Sequence, residues 1–378
     1  MTPEDLLTRT FAEVTETTDY PTTPMATVVA RSRTLRHGRR RATALLAAAA
    51  AVVLVGGSVA VWLNHGPDTP PSPSHRLDPA ASLPDVPQGD APRIAYLDGD
   101  GFVTAAGDRI TSPAFRTAMT ATPYGEGVLV VRRSTPARPF TTISLVSGGS
   151  TTPLGCGAPT FALGGEAPTY WLADTCGANA TGRLVEGTSS TTTPRGVVYY
   201  PIRSTSSGLV ALRSSTAALI AADGSAHRIP HVQIVTAASP AGDLVAGRAA
   251  SQPQNSVIVD TATGAVRWRA AHWSLGHFST SGQYVVGTQR VGDQTVSGVG
   301  DVVGIWDVAT GRQVMTTVLP NMSVVGGPAW EGDDSVLVVV QDRHLQQAIV
   351  RVGRDGSITR ATSVAPAGTG TFRLASTP

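Results

Sequence analysis

Residues 277–287, His-Phe-Ser-Thr-Ser-Gly-Gln-Tyr-Val-Val-Gly, together with 304–311, Gly-Ile-Trp-Asp-Val-Ala-Thr-Gly, decide how this chain folds. Phe278 and the run Tyr284 to Gly287 supply apolar side chains to a core, and Ser281-Gly282 makes the turn between them. Asp307 with Thr310-Gly311 closes the next hairpin, since short polar side chains and a glycine that tolerates positive φ are what a tight turn requires. The stretch before it repeats the pattern. Ser239-Pro240-Ala241-Gly242-Asp243-Leu244-Val245-Ala246 is a turn feeding a strand, and Val259-Asp260-Thr261-Ala262-Thr263-Gly264-Ala265-Val266-Arg267-Trp268 is a strand, a turn and a strand.

Outward from these two units the same alternation recurs. Paired β-favouring runs fall at 93–97 with 101–105, 127–132 with 141–146, 169–173 with 182–186, 208–212 with 217–221, 244–249 with 257–260, 284–289 with 302–307, and 335–341 with 348–352. The spacing of about 40 residues is the period of a four-stranded propeller blade. The last run, 371–374, has no partner downstream and the first pair has little upstream. The two ends are therefore expected to complete one blade together, which removes exposed sheet edges.

The sixth pair resembles a blade of the WD-repeat family, in which a turn precedes a strand and a Trp-Asp ends another; Phe278, Gly282, Trp306, Asp307 and Gly311 carry the likeness. It departs from that family at His277, which abuts Phe278 where the family keeps a longer spacing. The fifth pair is similar to quinoprotein-like propellers through Asp260, Gly264 and Trp268, whose Asp-x-x-Thr-Gly-x-x-x-Trp looks like their tryptophan-docking turn. Both resemblances imply an all-β β-propeller over 93–378. Seven blades are expected, with six or eight the neighbouring alternatives.

The membrane reading comes from the other end. Ala42 to Leu63 is an uncharged run of about 22 residues, enough at 1.5 Å rise per residue for a hydrocarbon core of roughly 30 Å. Residues 31–41 carry six Arg, among them Arg36, Arg39, Arg40 and Arg41, and no acid. By the positive-inside rule they orient residues 1–41 to the cytoplasm and the C-terminal domain outward. A cleaved signal peptide is the competing reading, since Ser58-Val59-Ala60 resembles a cleavage site. The long basic region and the long apolar run favour a retained, single-pass helix in the cell membrane.

All 29 basic side chains are Arg, a bias that fits a GC-rich bacterial genome. Residues 1–41 hold seven Arg against five acids, leaving 22 Arg against 22 acids beyond them, so the net charge of +2 is N-terminal. A neutral outer domain argues against nucleic acid as a partner. Residues 3–16 place Leu6, Leu7, Phe11 and Val14 at helical spacing, as a short amphipathic helix that docks a cytoplasmic protein, lies on the inner membrane surface or is only marginally ordered. This helix, the Arg collar and one membrane helix are similar to membrane-bound anti-sigma factors, without their His-Cys zinc signature. Residues 64–92, with eight Pro, read as an extended linker holding the domain off the bilayer.

Cys156 and Cys176 are expected to form a disulfide in an exported compartment, stabilising by roughly 3 kcal/mol for a loop of about 20 residues. Asp98-Gly99-Asp100-Gly101 lacks the acids of a calcium loop and reads as a hairpin turn. His227 and His231 straddle Pro230, and His272 and His277 have no acid between them, so no metal site is expected. Ser147-Gly148-Gly149-Ser150 reads as a hairpin loop. No nucleophile elbow, zinc helix, phosphate loop or dinucleotide fingerprint occurs, so no catalytic residue and no cofactor is assigned. Propeller sites draw single residues from several blades, which keeps enzyme function open. The expected function is a membrane-tethered module binding a protein or small ligand. The alternatives are a quinoprotein-like or hydrolytic enzyme, and a transmembrane regulator whose tail binds a sigma factor.

Overall fold

The computed structural model describes residues 74–77, 81–132, 141–157, 169–173, 182–186, 189–192, 200–205, 208–213, 216–221, 225–289, 301–367 and 372–375. All of them lie in the second of two compact units, Pro71–Pro378. The segments expected to form the tail helix, the Arg36 to Arg41 collar and the membrane helix lie outside the described residues. Among the described residues no helix is long and apolar enough to cross a membrane.

The strands follow the chain as β1 (Ser74–Arg76), β2 (Tyr96–Asp98), β3 (Gly101–Val103), β4 (Arg109–Thr111), β5 (Ala118–Tyr124), β6 (Gly127–Arg132), β7 (Thr141–Ser147), β8 (Ser150–Gly157), β9 (Thr169–Ala173), β10 (Gly182–Glu186) and β11 (Ser189–Thr192). They continue as β12 (Tyr200–Thr205), β13 (Gly208–Arg213), β14 (Thr216–Ile220), β15 (Ala226–Arg228), β16 (Val232–Ala238), β17 (Leu244–Ala249), β18 (Ser256–Asp260), β19 (Val266–Ala270), β20 (Ser274–Phe278), β21 (Tyr284–Gln289), β22 (Val302–Asp307) and β23 (Gln313–Val318). The last are β24 (Met322–Val324), β25 (Ala329–Glu331), β26 (Ser335–Asp342), β27 (Gln346–Gly353), β28 (Ile358–Arg360), β29 (Ala365–Pro366) and β30 (Phe372–Leu374). Apart from β1 they form antiparallel sheets in the orders β30-β2-β3-β4, β5 through β11, β12 through β15, β16 through β19, β20 through β23, and β24/β25-β26-β27-β28 with β29 on β27.

These are six blades of a β-propeller, not the seven expected. The difference lies in one place. β8 runs on to Gly157 and pairs with β9 through Cys156↔Ala173 and Gly157↔Leu172, so the second and third expected pairs share one seven-stranded sheet. The ring closes as the sequence leads one to expect, with β30 pairing β2 through Tyr96↔Leu374 and Asp98↔Phe372.

Successive sheets are joined by their cores. Leu97 and Phe102 pack with Val128 and Val146 between the first and second sheets. Val210 and Ala217 meet Val235 and Val257 between the third and fourth. Ile258 meets Phe278 and Trp306 between the fourth and fifth, Ile305 and Met315 meet Val338 and Val350 between the fifth and sixth, and Leu337 and Ile349 meet Phe372 between the sixth and first. Within the fifth sheet Gly287 pairs Gly304, and a Cβ at either would come within 3 Å of the Trp306 ring. Two glycines thus make the shelf on which the indole of the Trp-Asp pair lies, edge-on to Trp273 at 4.7 Å.

The expected linker is docked over its described part. β1 adds to the fifth sheet as a parallel strand on β23, with His75 opposite Thr317. Leu83 and Val86 are buried in the core between the fifth and sixth sheets. Gln88 bridges to Arg360 on β28, and Arg351 donates to the carbonyls of Asp90 and Ala91 at 3.0 Å each. The segment covers the outer edges of two sheets, where unpaired backbone groups would otherwise face solvent.

Candidate functional site

In the third to sixth sheets the first strands pack against one another, β16 on β12 and β20 on both β16 and β25, so these strands line the inside of the ring. Three consecutive ones leave their ladders at the same level. β16 shifts register between Val235 and Ala237, at Thr236. β20 shifts between Leu275 and Phe278, at Gly276 and His277. In the sixth sheet the inner strand is split into β24 and β25 by Val325-Gly326-Gly327-Pro328. β5 and β12 are also bulged, near Thr120 and Ile202. The three bulges in the fourth to sixth sheets converge on a cavity of about 430 Å³, lined by Thr236, Gly276, His277, Gly326, Gly327 and Pro328 together with Ser274, Leu275, Thr288, Asp301, Val324 and Val325. Bulges re-aim side chains and backbone away from a ladder, which is how a sheet edge is opened toward a ligand.

The polar side chains of the cavity among the described residues are three hydroxyls, one carboxylate and the His277 imidazole. Thr236 Oγ1 is wholly buried and has no hydrogen-bond partner. Asp301 Oδ2 accepts from the Val324 amide at 2.8 Å, which fixes the carboxylate at the wall. The His277 carbonyl accepts from Trp330 Nε1 at 2.8 Å, tying β20 to the next sheet. At Gly327 a Cβ would meet nothing within 4 Å, so the wall there is open. Val325 and, two residues before Thr236, Ile234 are exposed apolar side chains.

The residues singled out by sequence lie elsewhere. Asp260 Oδ1 accepts from the Thr263 amide and hydroxyl, both at 2.9 Å, and Oδ2 from Arg267 at 2.6 Å. The Thr263 amide first, then Arg267 and the Thr263 hydroxyl, hold its pKa down at about 2. Asp307 accepts likewise from the Thr310 amide and hydroxyl. Gly264 and Gly311 close these turns at φ 71° and 69°, and Gly282 closes the Ser-x-x-Gly turn at 76°. Trp268 docks on the next sheet's turn, its Nε1 donating to the Val308 carbonyl at 2.9 Å, and Phe278 is buried in the core beside it. None of these lines the cavity; the carboxylates fold their own turns, and Trp268 joins one sheet to the next.

Cys156 is buried and is not a free thiol; Cys176 lies outside the described residues. Asp98-Gly99-Asp100-Gly101 is a two-residue hairpin whose carboxylates are taken up by Arg109 and Arg116. The Arg116 hydrogen bond keeps Asp100 below the usual carboxylate range. Ser147 and Ser150 pair across a two-glycine turn. Among the described residues no group of three His, Cys, Asp or Glu gathers as metal ligands.

Sequence reasoning missed Thr236, Ser274, Thr288, Asp301 and Gly326-Gly327. The available signal was Gly-Gly-Pro between two apolar runs, since glycine and proline inside a strand pattern mark a bulge or a break.

No protein-family model and no curated protein matches this chain. Solved structures to which it is similar include TolB from Acinetobacter baumannii, 13% identical over 72% of this chain and 77% of that one, with a TM-score of 0.44. A chain of the Mitotic Checkpoint Complex is 13% identical over 77% of this chain and 88% of its own, at 0.46. Hsv2 of Kluyveromyces lactis is 11% identical over 73% and 99%, at 0.40. Scores below 0.5 add no weight, and the propeller stands on the strand topology.

Proposed function

We propose that this chain is a membrane-tethered, extracytoplasmic β-propeller that binds a protein or small ligand in the inner-strand cavity. The observation that carries it is the convergence of three strand irregularities on one cavity with an unpartnered hydroxyl, Thr236. Buried polar groups ordinarily have partners, and a cavity of this size with a few polar groups suits a bound group. The tether rests on the uncharged run Ala42–Leu63 and the Arg collar before it. The Asp260 to Trp268 turn gives no support to an enzyme, because its carboxylate is taken up within its own hairpin and its indole in a sheet-to-sheet contact.

The test is full-length protein produced with tags at both ends. The expected result is that it stays in the membrane through an alkaline wash, with the C-terminal tag open to protease in intact spheroplasts and the N-terminal tag protected. A released, shortened protein would overturn the tether. Binding is tested by affinity capture with wild type and with Gly327→Leu. A partner or ligand lost from the variant supports the cavity, and one retained equally places binding elsewhere.

A further inference from the structure

Among the described residues that line the cavity, Asp301 is the one carboxylate and His277 the one imidazole, and no Arg is present. The hydroxyls of Thr236, Ser274 and Thr288 can each donate or accept, and so can a neutral His277 imidazole, so among these described groups the carboxylate is the one of fixed negative sign. One of its oxygens, Oδ2, already accepts from the Val324 amide, and Oδ1 accepts from no described group. A planar guanidinium pairs best with two open carboxylate oxygens, whereas an ammonium is a compact charge with three donors that needs one carboxylate oxygen and nearby hydroxyls. A calcium or magnesium ion asks for more oxygen ligands than one carboxylate and three hydroxyls provide, and among the described residues no third His, Cys, Asp or Glu joins Asp301 and His277 as a metal-ligand group. The chain contains no lysine, so no side chain of its own carries an ammonium.

From these observations we propose that the cavity takes a primary ammonium group, supplied by a lysine side chain of a partner protein or by a free small amine. The proposal rests on the binding reading above and specifies its chemistry. Asp301 Oδ1 accepts one N–H, and the hydroxyls of Ser274 and Thr288 are the acceptors for the other two. The open wall at Gly327 admits the alkyl stem, which lies against Val325 and Leu275.

The experiment uses full-length protein in detergent and three probes: cadaverine, Nα-acetyl-lysine amide and Nα-acetyl-norleucine amide. Isothermal titration is expected to show both amines binding and the norleucine compound at least about tenfold weaker. Asp301→Asn keeps an oxygen for the Val324 amide while removing the charge, and Thr288→Val removes one acceptor. The first is expected to weaken amine binding by about tenfold or more and the second by a smaller factor, with unchanged melting temperatures. Zero-length carbodiimide coupling separates the sources. A covalent adduct between Asp301 and a partner's lysine identifies a protein, and retention of cadaverine without such an adduct identifies a free amine. Equal binding of the norleucine compound, or amine binding unchanged in Asp301→Asn, overturns the proposal. Where Gly327→Leu still abolishes capture of some other ligand, the cavity reading survives and only the ammonium chemistry fails.

Discussion

The indole Nε1 of Trp268, in the last strand of the fourth sheet, donates to the Val308 carbonyl of the fifth at 2.9 Å. The ring lies where a Cβ on Gly311 would stand, 2.7 Å from its Cγ. One hairpin turn thus serves two purposes. Asp307 and Thr310 fold it, and the glycine that the fold requires also clears a seat for the neighbouring sheet's tryptophan.

That arrangement sets an order of effects. Trp268→Phe keeps most of the buried area and loses one hydrogen bond, a cost of about 1 kcal/mol. Gly311→Ala forces a positive φ of 69° on a residue with a Cβ and drives that carbon into the indole, so it costs more than Trp268→Phe. Urea unfolding of the three proteins measures both. A Gly311→Ala protein as stable as wild type would show that the contact is not made.

The equivalent turn one sheet earlier predicts a pH dependence. Asp260, with its pKa at about 2, accepts from the Thr263 amide and hydroxyl and from Arg267. A carboxyl depressed by folding stabilises the native state fully above its unfolded pKa, and that stability is lost as pH falls through the folded value. The penalty of Asp260→Asn is therefore expected to be full from pH 5 upward and to shrink between about pH 4 and pH 2. Melting temperatures of wild type and variant across that range check the sign. A gap that widens on acidification would contradict it.

Most of the ring was legible because its signals are local. A β-favouring run, a Gly turn and an Asp-x-x-Thr-Gly hairpin each lie within a dozen residues, and each expected pair coincides with adjacent strands such as β21 and β22. The blade count failed where local rules do not reach, since nothing in the sequence around Gly157 states that β8 will meet β9 through two residue pairs. The docked linker was missed for a similar reason: Leu83 and Val86 stand isolated among prolines, and their burial depends on a groove between two distant sheets. The cavity was least visible. Thr236 inside β16, Ser274 at the start of β20 and Asp301 just before β22 are ordinary polar residues, and only the stacking of successive sheets brings them together.

Arg373, on the inner strand β30, has a wholly buried Nη1 with no acceptor, and burial lowers the pKa of its guanidinium. A buried donor without a partner costs about 1–3 kcal/mol. Arg373→Met retains a flexible apolar stem and removes the donors, so the variant is expected to melt at or above the wild-type temperature by calorimetry. Marked destabilisation would show that the guanidinium has a partner in solution.

Only two cysteines exist in the chain, and Cys156 is oxidised. Peptide mapping without reductant is expected to find Cys156 linked to Cys176, with a loss of roughly 3 kcal/mol on reduction. Recovery of Cys156 linked to any other thiol would refute the pairing.

The linker's attachment rests on a buried ion pair. Glu331, at 3% exposure, accepts from Arg351 Nε at 2.5 Å and Nη2 at 3.0 Å, and from the Arg93 amide at 2.6 Å. Burial pushes its carboxyl upward, but the Arg351 hydrogen bond, the Arg93 amide and the two guanidinium charges outweigh this, and the net pKa lies below the usual range. Arg351 in turn holds the Asp90 and Ala91 carbonyls, so one guanidinium joins β25, β27 and the incoming chain. Removing one partner of a buried pair leaves the other charge uncompensated, which costs about 3–5 kcal/mol. Glu331→Gln is expected to lose stability on that scale and to expose the bond after Arg93 to trypsin, whereas Arg354→Gln, which gives up an ion pair exposed on the Asp334 side and a contact over the Tyr284 ring, costs less, about 1 kcal/mol, and leaves that bond protected. By the same sign rule as for Asp260, the clamp is intact above the usual carboxylate range and opens as pH falls through the depressed value. Faster tryptic cleavage after Arg93 at pH 7 in Glu331→Gln than in wild type supports the clamp, and equal rates would show that Leu83 and Val86 hold the segment without it.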